Sequence, residues 1–233
     1  MLRELLAAFK HESKLDSAFD LVYDSLDTVQ QMFIESTTSF RNRDDDSGKA
    51  VAFQDKAINK AERSVRKNVL KHLAVSGGDH AVSALVLTSI IIDIERIGDY
   101  SKNIVELSIK GPKNPDLGEA KEDLNRIEKA IEDTFRRLRV ILSGDKEADA
   151  EKLIQEYSWI NPLIDRYVDN LLSGKLDLSA TRDAVTLVLY LRYLKRIFSH
   201  LRNITTSVFR PFHKIGFVPV AMKGREEEVE EEV

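Results

Sequence analysis

Residues 91–105 read Ile-Ile-Asp-Ile-Glu-Arg-Ile-Gly-Asp-Tyr-Ser-Lys-Asn-Ile-Val, and one hundred positions later a worn copy returns. Ile94, Glu95, Arg96 and Ile97 are answered by Leu194, Lys195, Arg196 and Ile197, and Asn103 and Ile104 by Asn203 and Ile204. Arg-Ile and Asn-Ile kept in register at a fixed offset mark an internal duplication, so the chain must fold as two like units. The copies differ in charge: Glu95 and Asp99 become Lys195 and Ser199.

The units are helical. Leu15, Phe19, Val22, Leu26, Val29 and Phe33 alternate steps of four and three, which lines one side of a first long helix. Arg41 to Gly48 reads as a polar loop with Ser47 capping a second helix, whose buried edge is Ile58, Ala61, Val65, Val69 and Leu73. Gly77 and Gly78 end it, and Asp79 is placed to cap a third helix that carries the motif to about Lys110. Two prolines and a glycine between Gly111 and Asp116 cannot continue a helix. The rhythm then restarts with Leu124, Ile127, Ile131, Phe135, Leu138 and Leu142 in a fourth helix and Leu153, Tyr157, Ile160, Ile164, Tyr167 and Leu171 in a fifth, kinked at Pro162. Ser179 is placed to cap a sixth, which runs to about Phe209. The fold class read from this pattern is all-α: two tandem three-helix bundles related by duplication, with six long helices. The first repeat takes residues 1–110, a linker 111–116, the second repeat 117–214, and an extended segment with an acidic, disordered tail 215–233.

Composition narrows the chemistry. With no cysteine in 233 residues there is no disulfide, no thiolate nucleophile and no sulfur ligand, so a metal site must use oxygen or imidazole. The longest apolar stretch, Ala81 to Ile92, falls well short of the roughly 20 residues that cross a membrane. Leu2, Leu5, Leu6 and Phe9 share a helical face that reads as packing on the protein itself rather than as a lipid anchor, and there is no signal-peptide pattern.

On the third helix Ile90, Ile94, Ile97, Ser101, Ile104 and Val105 form a core stripe, with Glu95 and Asp99 together on its flank. Two carboxylates at i and i+4 repel by roughly 0.2–0.5 kcal/mol, so something should compensate. One reading is a solvated ion-pair ladder in which Lys102 serves Asp99 and Glu106, and Glu62 pairs with Arg66. The other is a hard cation between helices, with Asp55, Asn59 and Glu62 of the second helix facing Glu95 and Asp99 across the interface. Gly98 beside them is understandable where two backbones approach closely.

The sixth helix sets Lys195, Ser199, Arg202 and Thr206 where the third has Glu95, Asp99, Lys102 and Glu106, so no cation site is expected there. From Arg182 to Lys214 there are seven Lys or Arg residues against one acid, Asp183. Such a face attracts anions, although no aromatic-interleaved groove points to nucleic acid. His200 and His213 read as surface or rim residues, and Tyr157, Trp159 and Tyr193 as packing residues.

The run Asp93-Ile-Glu95-Arg-Ile-Gly-Asp99-Tyr-Ser-Lys-Asn103-Ile resembles the signature of the PhoU family of phosphate-uptake regulators, in which a Glu-x-x-x-Asp motif ends the third helix of each of two repeated bundles. The resemblance covers about residues 10–210 and is specific in the first half only. It implies iron or zinc, or another divalent cation, in the first repeat alone, with Glu95 and Asp99 as ligands and Asp55 as their partner. Asn59 stands where a family acid is expected, and Lys195 and Ser199 remove the second motif while Arg196 and Asn203 keep it in outline. It further implies a cytoplasmic, non-enzymatic and homodimeric adaptor at the inner face of the membrane, bridging a phosphate transporter complex and a sensor histidine kinase. The alternatives are a metal-free helical scaffold for another membrane transporter, a DNA-binding regulator using the basic sixth helix, and a carboxylate-metal enzyme. The last lacks the Glu-x-x-His pairs that such bundles supply.

Overall fold

The computed structural model describes residues 13–42, 45–76, 78, 80–144, 147–178 and 180–216. Among the described residues seven α-helices follow one another: α1 Ser13–Asn42, α2 Asp45–Ser76, α3 Ala81–Lys110, α4 Ala120–Leu142, α5 Glu147–Glu156, α6 Ile160–Leu172 and α7 Thr181–Thr206, then a 3₁₀ turn Phe212–Lys214. There is no strand among the described residues, and none of these helices is long and apolar enough to cross a membrane. The amino-terminal amphipathic segment, the caps assigned to Asp79 and Ser179, and the acidic tail lie outside the described residues.

The apolar stripes bury as their spacing requires. Leu15, Val22, Leu26, Val29 and Phe33 of α1 and Ile90, Ile94, Ile97 and Ile104 of α3 are almost wholly enclosed, with Ile58 and Val65 of α2 closing the first bundle. The loop expected over 41–48 is shorter, because α1 runs to Asn42 and α2 begins at Asp45. Ser47 therefore stands inside the first helical turn rather than at its cap. Gly48 belongs to the same turn, and a Cβ there would lie 2.9 Å from Val105 Cγ1, so it is Gly48 that lets two helices close on each other. Gly98, to which the sequence pattern assigned that role, faces side chains instead: Met32 Cε, Val29 Cγ1 and Ile58 Cγ2 at 3.5–3.8 Å from a built Cβ.

The fifth helix of the sequence reading is two helices. Pro162 has no N–H to offer the Ser158 carbonyl, and the chain turns over Tyr157–Trp159 before α6 starts at Ile160. Pro162 thus sits in the first turn of a new helix, a position that proline tolerates, rather than kinking a continuous one. Tyr167 donates to Asp123 Oδ2 at 2.7 Å and Tyr157 to Asp133 Oδ2 at 2.8 Å, so each piece is tied separately to α4. Burial and these carboxylates push both phenols up to about 12.

The repeats are joined rather than strung apart. Helices α3 and α7 pack along each other, with Asp93 against His200 and Tyr100 against Tyr193. The helices must therefore run antiparallel, since the partner number falls as the residue number rises. A shift of one hundred residues turns each of these contacts into the other, which is the behaviour of two copies about an approximate two-fold axis. A second junction pairs α1 with α4 through Phe33 and Phe135, whose ring centroids are 5.8 Å apart, and through Tyr23, which donates to the Leu142 carbonyl at 2.7 Å. One continuous apolar core runs through both repeats.

Candidate functional site

The first copy of the motif lies on the half-buried flank of α3, where its apolar stripe turns the intervening positions toward α2. Glu95 and Asp99 are one helical turn apart there, with side chains 16% and 31% exposed, and Asp55 and Glu62 of α2 are each 14% exposed. Burial raises the Glu95 carboxyl above its ordinary range; Asp99 adds to this, Arg96 opposes it, and Glu62 and Asp55 raise it further. The four acids expected to meet across the α2–α3 seam therefore share one electrostatic environment.

The cation in that environment is Lys102. Its Nζ donates to Asp55 Oδ2 at 3.1 Å and lies 3.5 Å from Asp99 Oδ1, bridging the two helices. Burial pulls the ammonium's pKa down, but the hydrogen bond and charge of Asp55, with those of Asp99, outweigh it and leave it raised. Arg96 contributes from outside, 3.5 Å from both Glu95 and Asp99. One partner differs from the ladder read in the sequence: Glu106 takes Lys110 at 2.9 Å instead of Lys102, whereas Glu62 takes Arg66 at 2.8 Å as its spacing implied. Asn59 uses its amide nitrogen on the Asp55 backbone carbonyl at 2.9 Å.

The donor set as arranged suits an ammonium better than a divalent ion. Among the described residues no three His, Asp or Glu side chains converge as metal ligands. Lys102 holds the carboxylates that a bridging metal would need. A hard cation demands several oxygens around one point, and a lysine among them costs it both a ligand position and a like charge.

The second copy repeats this arrangement with its polarity reversed. Lys195, in the position of Glu95, donates to both carboxylate oxygens of Asp165 on α6, and Ser199, in the position of Asp99, donates to the Lys195 backbone carbonyl at 2.8 Å. Asp165 had no signal in the sequence, because its partner comes from another helix thirty residues away.

Between the copies lies a polar contact that the sequence reading also missed. Asp93 Oδ1 is 2.7 Å from His200 Nδ1 and accepts from Asn203 Nδ2 at 3.2 Å. His200, expected at the surface or rim, is only 17% exposed, and its ring stacks with Tyr100 at 5.8 Å between centroids. The retained Asn203 thus serves the junction between repeats. A third cluster sits deeper: Tyr190 donates to Glu128 Oε1 at 2.6 Å, Arg41 pairs with Glu128 Oε2, and Phe40 stacks on Tyr190 at 3.9 Å. Burial raises the Glu128 carboxyl despite the Tyr190 hydrogen bond and the Arg41 charge.

A family model for the PhoU domain matches residues 22–108, the stretch that holds the Lys102-bridged seam. That stretch is similar to a PhoU domain. The PhoU fold extends through both repeats: the phosphate transport system regulatory protein PhoU from Streptococcus pneumoniae superposes with a TM-score of 0.74 at 16% identity, covering 84% of this chain and 94% of that one. PhoU from Pseudomonas aeruginosa superposes at 0.76 with 17% identity, covering 85% of this chain and 97% of that one. No curated protein sequence matches. The PhoU match ends at residue 108, before the copy in which Lys195 and Ser199 replace the acids.

Proposed function

We propose that this protein is a regulatory adaptor of phosphate uptake, which docks on a phosphate transporter complex and its sensor histidine kinase and damps transport when phosphate is sufficient. The observation that carries the reading is the similarity to a PhoU domain at residues 22–108 within a chain that has the two-repeat PhoU fold. The Streptococcus neighbour bears the description of a phosphate transport system regulatory protein. The role is non-enzymatic: long, mutually braced helices hold charged faces in fixed relation, which is what recognition of a partner surface requires. A homodimer in the cytoplasm, at the inner face of the membrane, fits the same reading.

The Lys102 bridge favours a form of this adaptor that works without a resident metal, because an internal ammonium already neutralises the seam. Two measurements test the proposal together. Deleting the gene should raise phosphate uptake in replete medium, and affinity capture from cross-linked membranes should recover a transporter or kinase component. Unchanged uptake together with capture of neither component would overturn it.

A further inference from the structure

In the first copy Asp99 stands between two cations of its own helix. Arg96 Nη1, three residues before it, and Lys102 Nζ, three residues after, each lie 3.5 Å from its carboxylate. Residues three apart are neighbours on a helix surface, so spacing along α3 sets this arrangement. One hundred residues on, both cations return as Arg196 and Arg202, while the acid between them has become Ser199. The second copy keeps the cations and loses the charge that they hold.

The consequence shows at Arg202. Its Nε is buried and has no acceptor among the described residues, and burial is the sole influence that holds its guanidinium below the ordinary value. A buried donor attached to a charge is more costly to leave unmet than a neutral one. The acid within reach of this flank is spoken for, because Asp165 gives both its oxygens to Lys195. Ser199 spends its hydroxyl on the Lys195 carbonyl at 2.8 Å and brings no charge to either arginine. It is also shorter than the aspartate it replaces, and so fills less of the space between them. The change from Lys102 to Arg202 adds a planar fork of donors, a geometry suited to an oxyanion with several acceptor oxygens.

We propose that the second copy of the motif is a binding site for a phosphate-class oxyanion, which sits over Ser199 between Arg196 and Arg202, where the first copy holds the Asp99 carboxylate. The ion supplies from outside the charge that the first copy carries on its own chain. Arg202 donates to it through Nε, Arg196 closes it from the opposite side, and the Ser199 hydroxyl turns from the Lys195 carbonyl to donate as well. Lys195 stays with Asp165, so the site gains an anion without giving up the tie between α6 and α7. The inference rests on the comparison of the two copies and not on the regulatory reading, so either can fail alone.

The test is a titration of the full-length protein with inorganic phosphate, chloride holding the ionic strength constant. The Arg202 Nε–Hε signal should shift saturably, and phosphate at about ten times a millimolar Kd should raise Tm by roughly 3–6 °C over chloride. Ser199→Asp rebuilds the arrangement around Asp99, so it should raise Tm in chloride and abolish the response to phosphate. Arg202→Gln should abolish the response without that gain. Flotation with phosphatidylcholine vesicles, with and without phosphatidic acid, separates the sources of the phosphate group. A response to the free ion assigns dissolved phosphate; selective binding of wild type over S199D to the phosphatidic acid vesicles, with no such response, assigns a lipid headgroup. Wild type and S199D behaving alike in both arms would overturn the proposal. So would a phosphate shift as large at Arg136, which already holds Asp133, as at Arg202.

Discussion

Replacing Lys102 with methionine keeps the unbranched stem that packs along α3 and removes only the ammonium between Asp55 and Asp99. Each of those contacts is worth a gross attraction of ~4 kcal/mol at 4 Å in the effective dielectric near a protein surface. The lysine is 34% exposed, so screening and the ordering of a long side chain remove much of this. The net effect should fall between the ~1 kcal/mol of an exposed pair and the 3–5 kcal/mol lost on breaking a buried one, and we expect about 1–2 kcal/mol at pH 7. For a chain of this size that is a fall in Tm of roughly 2–8 °C. The pH dependence separates this cause from lost packing. Glu95 has a raised pKa when folded, so its protonation favours the folded state below its unfolded pKa, and that contribution is lost as pH rises through the folded value. Lys102, also raised, contributes through neutral pH and ceases only above its folded pKa, beyond the ordinary lysine range. In K102M the carboxylates repel at pH 7 with only the more exposed Arg96 left to oppose them, and that repulsion is relieved as Glu95 takes up a proton. Urea unfolding at pH 7 and pH 5 should therefore show the cost of the substitution shrinking with acid. Millimolar Mn²⁺ should raise the Tm of K102M and leave the wild type unmoved. A cost that is the same at both pH values, or an equal Mn²⁺ response in the wild type, would refute the assignment of Lys102 as the cation of the seam.

The two glycines of the first bundle should respond in opposite directions. Gly98→Ala places its methyl at ordinary contact distance from Met32, Val29 and Ile58 and gains helix propensity, so unfolding should show stabilisation of up to ~1 kcal/mol. Gly48→Ala drives a methyl to 2.9 Å from Val105 Cγ1 and should cost about 1 kcal/mol or more in the same measurement. Tyr190→Phe removes the hydroxyl that Glu128 accepts from in a buried site, and should destabilise by ~1–3 kcal/mol in urea unfolding. Asp93→Leu strips His200 and Asn203 of their acceptor at the α3–α7 junction, and faster amide exchange should appear along both helices there, with little change in α2.

The sequence by itself determined the class of fold, the helical stripes and the doubling, because each depends on spacing within one segment or on comparison of one segment with another. The Ile90–Val105 stripe is buried position by position, and the copy one hundred residues on lies where an approximate two-fold axis requires it. Sequence also brought Asp55, Glu62, Glu95 and Asp99 to one seam, since helical periodicity fixes which flank each occupies. What it left open is which of several charges within reach of one another actually pair. Lys102 has Asp99 and Glu106 as neighbours in the chain, yet it crosses to Asp55, forty-seven residues away. His200 looked like a surface residue until α3 was laid against α7. Asp165 and Glu128 gave no signal, because their partners Lys195, Tyr190 and Arg41 come from distant helices. Backbone periodicity is a local property of the chain, whereas the choice among charge partners turns on ångström differences in distance and burial. Only the packing of one helix on another decides those.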